Sequence, residues 1–167
     1  TYELTPIAGR WSEYGTDQSW VFGVVGRKTV ASVATLPSPG FFTPYVAGAS
    51  TGRLVLVLQP ALAGGAQGFG GATEIPLDTW THVAASWDGE VVRLYVDGRL
   101  DTQYALRGSI RHSEAPMLVG NFLDTRRLTE FSGQLELDSA ADHNPYYAFE
   151  GLIDELRLSS LARTTFE

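Results

Sequence analysis

Residues 80–103 read WTHVAASWDGEVVRLYVDGRLDTQ, from Trp80 to Gln103, and contain two Asp-Gly pairs, Asp88-Gly89 and Asp97-Gly98. Each pair ends an apolar-rich, β-branched run, which is the pattern of consecutive strands joined by tight turns. A two-residue turn at Asp88-Gly89 predicts pairing of Trp87 with Glu90, Ala85 with Val92, Val83 with Leu94 and Thr81 with Val96. Val83, Ala85, Trp87, Val92, Leu94 and Val96 then share one apolar face, and His82, Ala84, Ser86, Val91, Arg93 and Tyr95 share the other. After Asp97-Gly98 a strict two-residue turn would set Asp101 opposite Leu94, so a bulge or a longer loop is expected there.

Outward from this meander, Ser19–Val25, Arg53–Gln59, Met117–Val119, Gln134–Leu137 and Leu152–Leu158 also read as strands, with Thr81–Trp87, Glu90–Val96 and Arg99–Leu106 forming the meander itself. Loops rich in glycine and proline separate them, and no helical periodicity intervenes, which indicates a sandwich or barrel. The stretch 63–71, AGGAQGFGG, lacks the Gly-Lys-Ser/Thr ending of a phosphate loop and reads as a flexible connection. Trp80 and Trp87 flank a strand and are expected in the core, as are Trp11 and Trp20.

The 167 residues suit one domain, 44% hydrophobic and 19% charged. The net charge of −7, with Lys28 the only lysine and the arginines scattered, argues against a phosphate-binding surface and hence against nucleic acid. The absence of cysteine excludes disulfides, zinc thiolates and cysteine nucleophiles. No apolar run approaches a membrane span. The opening TYELTPIAGRW lacks the regions of a signal peptide, so export would need a signal outside this sequence.

The ordered segments W-T-H-V-A-A-S-W-D-G…L-Y-V-D-G-R-L, P-M-L-V-G and F-E-G-L-I-D-E-L-R-L-S, between Trp80 and Ser159, resemble the laminin-G-like jelly rolls of the concanavalin A-like lectin/glucanase superfamily. P-I-A-G-R-W…D-Q-S-W-V-F-G from Pro6 is similar to an early strand of that family. The resemblance implies an all-β, antiparallel two-sheet jelly-roll sandwich occupying 1–167 as a single domain, a fragment or module of a larger protein. It also implies strands ahead of Pro6, beside the closing strand, for which this sequence has five residues. Those strands are expected from another chain, from a longer polypeptide or from the long loops, and otherwise an open sheet edge remains.

The glucanases of this superfamily use paired carboxylates in an E-x-D-x-E or E-x-D-x-x-E pattern. Glu136-Leu137-Asp138-Ser139-Ala140-Ala141 has the first two acids and lacks the last, so no enzyme activity is expected. His82 is expected as a packed strand residue and His112 as a solvated loop residue. Related jelly rolls bind calcium through clustered hard oxygens. The candidate ligands are Asp124, Asp138, Asp142 and Asn144, the competing reading being a turn held by Asx-type hydrogen bonds. Asp154 reads instead as an acceptor of backbone hydrogen bonds at a strand edge.

A sugar site combines an aromatic platform with a few planar polar groups. Phe41, Phe42 and Tyr45 in one loop, and His143, Asn144, Tyr146 and Tyr147 in another, provide those types, unless the rings plug the ends of the sandwich. The expected function is therefore a non-catalytic carbohydrate- or surface-recognition module of an extracellular or cell-surface protein, with a neutral glycan or polysaccharide as partner. The alternative is an assembly domain that contacts protein partners, or itself, through an open sheet edge.

Overall fold

The computed structural model describes residues 3–11, 18–26, 46–47, 52–62, 65–120, 128–131, 135–137, 149 and 151–166. Its strands, in chain order, are β1 (Glu3–Trp11), β2 (Gln18–Gly26), β3 (Val46–Ala47), β4 (Arg53–Leu58), β5 (Gln67–Glu74), β6 (Val83–Trp87), β7 (Val91–Val96), β8 (Arg99–Ala105), β9 (Met117–Val119), β10 (Leu128–Phe131) and β11 (Leu135–Leu137). A six-stranded sheet has the order β3-β5-β4-β2-β1-β9, a three-stranded sheet the order β6-β7-β8, and β10 pairs with β11. All pairings are antiparallel except β3 with β5. This is the expected two-sheet sandwich.

Alternation along the strands builds the core between the sheets. Leu54, Leu56 and Leu58 on β4 and Phe69 on β5 meet Val92 and Leu94 of β7, with Trp20, Phe22, Val24, Val83, Ala85 and Trp87 packed around them. Leu54, Val92 and Leu94 are fully buried, each contributing about 1.5–3 kcal/mol. The other face of the large sheet carries a second cluster, Trp11, Val21, Val25, Val55 and Val57.

The meander has the expected faces and the expected bulge after its second turn, but not the expected first turn. The observed register pairs Trp87 with Val92, Ala85 with Leu94 and Val83 with Val96, a slip of two residues that preserves which side chains point inward. Asp88 has no positive φ; it caps the turn instead, its Oδ1 accepting the N–H groups of Glu90 and Val91 at 2.9 and 2.7 Å. Asp97-Gly98, with φ of 48° and 73°, is the true two-residue turn and joins Val96 directly to Arg99. The register shift lies just beyond it, where Leu94 and Tyr95 oppose Thr102 and Leu100, leaving Asp101 as the bulged residue.

Three further expectations are corrected. The glycine-rich stretch is not a plain connection, because β5 runs through it from Gln67. Its glycines admit a close neighbour: a Cβ on Gly71 would lie 2.6 Å from Asp101 Oδ2. Leu152–Leu158 has strand-like alternation yet lies in no ladder, since no strand among the described residues flanks it to supply hydrogen bonds. Trp80 is outside the core, 68% exposed, because nothing among the described residues packs over it. Trp11 is buried, while Trp87 packs on the core and donates its Nε1–H to Leu106 O at 2.9 Å.

Candidate functional site: the open side of the sandwich

One flank of the sandwich is closed. There β8 lies against β5: Thr102 Oγ1 and Tyr104 Oη both donate to Gly70 O, at 3.1 and 2.6 Å, and the Tyr104 ring sits 5.4 Å from that of Phe69. Asp101 adds three bonds, accepting Ala72 N–H at 2.8 Å and Thr73 N–H and hydroxyl at 2.9 and 2.6 Å.

Among the described residues the opposite flank is open. Between the β1–β9 end of the large sheet and the edge of β6 lies a cleft of about 2750 Å3, floored by Ile7, Trp20, Phe22, Val24, Leu56 and Leu58. Small-molecule sites typically occupy about 300–1000 Å3, so this space suits a macromolecular occupant. Its rim is apolar and exposed: Leu77 (88%), Trp80, Leu152, Leu156, Leu158 and Leu161. Exposed apolar groups gathered on one cleft, rather than scattered singly, mark an interaction surface.

Residues 151–166 cross this opening as a strap anchored at both ends. At one end Phe149 N–H donates to Gly120 O at 2.8 Å, and Ile153 lies against Gly120 at the end of β9. At the other, the Phe166 ring packs at a tilt against Tyr95 with centroids 4.7 Å apart and sits 5.8 Å from His82. Between the anchors the strap bonds within itself, through Glu155 N–H to Asp154 Oδ1 and Arg157 to Glu155, both at 2.8 Å. Asp154 thus accepts a backbone hydrogen bond as expected, but on a strap and not at a strand edge.

Among the described residues the small sheet ends at β6, whose ladder runs to β7 alone. Asp97 N–H donates to His82 O at 2.8 Å, which fixes the phase of the ladder. In an antiparallel pair every second residue bonds the neighbour, so Ala84 and Ser86 bond Tyr95 and Arg93. The N–H and C=O groups of Val83, Ala85 and Trp87 therefore point outward into the cleft, without partners among the described residues.

Charge is uneven around the opening. Glu74, Asp78, Asp97, Asp154 and Glu155 line it against Arg157 and Arg163, and Arg157 is already paired with Glu155. Away from the cleft, Arg93 Nη1 donates to Asp88 Oδ2 at 2.6 Å. That bond, with the amides of Val91 and Glu90, holds the Asp88 carboxyl well below the usual carboxylate range and raises the Arg93 guanidinium.

The residues expected at a sugar site, Phe41, Phe42, Tyr45, His143, Asn144, Tyr146 and Tyr147, lie outside the described residues, as do the calcium candidates Asp124, Asp138, Asp142 and Asn144. Among the described residues no three His, Asp or Glu side chains cluster as metal ligands, and no helix is long and apolar enough to cross a membrane. His82 is exposed beside Phe166, and His112 is exposed, its Nδ1 3.3 Å from Glu114 Oε1. The alternating leucines of 152–158 are the signal in the sequence that points to the cleft.

No curated protein and no solved structure matches the chain. A family model does, over residues 28–167, so β1 and β2 lie ahead of the matched region. That model is the laminin-G one described as concanavalin A-like lectin/glucanases superfamily, and with most of the sequence and the two-sheet architecture accounted for, the chain belongs to this family.

Proposed function

We propose that this chain is a non-catalytic recognition module of an exported or surface protein, and that its working surface is the open side of the sandwich, which takes a polypeptide partner. The observation that supports this reading is the gathering of Leu77, Trp80, Leu152, Leu156, Leu158 and Leu161 around one large cleft floored by core residues. An apolar opening of that size matches the buried centre of a protein interface better than a glycan site, which needs many polar contacts.

A carbohydrate reading has one observation in its favour, the exposed Trp80 indole in the Asp78–Thr81 segment, which offers a face for a pyranose. The two are separated by presenting the folded chain to a displayed library of linear peptides and to a glycan array, with and without chelator. Selected peptides whose binding falls on Leu156→Ser and Trp80→Ala support the protein reading. Glycan binding without peptide selection would replace it. The chelator arm tests the calcium expectation for Asp124, Asp138, Asp142 and Asn144.

A further inference from the structure

We infer that the partner enters as an extended, basic β-strand added to the outer edge of β6, between β6 and the strap. This rests on the cleft reading above and specifies the occupant.

The backbone supplies the first reason. Among the described residues, Val83, Ala85 and Trp87 present an unpartnered row of N–H and C=O groups over a five-residue strand, about 17 Å long. An edge of this kind is a template for another strand. It also lacks the usual guards: β6 reads VAASW, with no charge, no proline and no bulge against β7.

Side chains supply the second. Val83, Ala85 and Trp87 face the core, whereas Ala84 and Ser86 face away, so an added strand continues the same alternation. Its inward side chains would fill the gap above Ile7, Phe22 and Val24 and cover Trp80. The strap is the second wall: Ile153–Leu158 has no ladder partner among the described residues. A strand bonded to both walls would set them roughly 10 Å apart, twice the strand spacing.

Charge selects the partner. The carboxylates of Glu74, Asp78, Asp97, Asp154 and Glu155 favour lysine or arginine at the outward and flanking positions of the incoming strand. They disfavour a second copy of this chain, whose net charge is −7.

The test uses a ten-residue peptide alternating valine with lysine and threonine, and two versions N-methylated at every second residue. N-methylation removes the donors of one edge and leaves the side chains unchanged. The parent peptide should bind the folded chain, more weakly as salt rises, and at least one methylated version should bind tenfold or more weakly. Equal binding by all three would overturn strand addition while leaving apolar capture in place. A parent that fails to bind, although the displayed library yields cleft-dependent peptides, would also overturn it; failure of both would overturn the cleft reading as well. A dilution-resistant dimer abolished by Ala85→Pro would replace the basic partner with a second copy.

Discussion

The Asp101 carboxylate on β8 accepts both the N–H and the hydroxyl of Thr73 on β5, at 2.9 and 2.6 Å, so one side chain ties the two sheets together. The bulge opposite Leu94 and Tyr95 gives it that reach. Asp101→Ala should cost about 0.5–1.5 kcal/mol, because the solvent-exposed Ala72 and Thr73 donors exchange the carboxylate for water. Gly71→Ala should act in the same direction by crowding the carboxylate. Urea unfolding checks both, as a lower midpoint with unchanged slope.

Burial separates Trp80 from Leu94. Leu94→Ala removes a fully buried side chain and should cost about 2–5 kcal/mol. Trp80→Ala should change stability by no more than about 0.5 kcal/mol, since its ring is mostly exposed. Equal, large losses in a denaturant titration would place Trp80 in the core after all.

Asp88 gives a pH dependence of known sign. Its folded-state pKa is depressed, so its contribution is present above the unfolded carboxylate value of 3.8 and is lost as pH falls below it. Asp88→Asn should therefore be less stable than the parent chain near neutrality, with the gap closing in strong acid. The effect is modest, because the Arg93 pair is solvent-screened. Thermal unfolding of both proteins between pH 7 and pH 2 measures the gap.

Proline substitutions read the two edges of β6. Ala84→Pro removes an N–H that bonds Tyr95 and should destabilise the fold by about 1 kcal/mol before ring strain is added. Ala85→Pro removes an N–H that faces the cleft, so the ladder to β7 survives. Circular dichroism should show the second variant folded, with its capacity to bind the valine–lysine peptide lost.

What was legible in the sequence follows physical lines. Alternation fixed which faces of β6 and β7 point inward, because period-2 patterning survives a two-residue slip unchanged. The slip itself was hidden, since Asp88 serves equally as a positive-φ turn residue and as a side-chain cap. β5 was hidden by its glycines, which signal a loop until the close approach of Asp101 and Tyr104 explains them. Trp80 and the 152–158 leucines show the converse: local pattern assigns a residue to a core or a ladder, but only a neighbouring strand puts it there. The aromatic and acidic loops expected at a sugar or calcium site fall outside the described residues.

Residue-resolved hydrogen exchange along β6 in the free, monomeric chain bears most directly on the open edge. The amides of Val83, Ala85 and Trp87 should exchange far faster than those of Ala84 and Ser86, the alternation expected of an edge bonded on one side only. Uniform protection across Val83–Trp87 would mean that the edge is already paired, and would contradict the open side on which the proposed function stands.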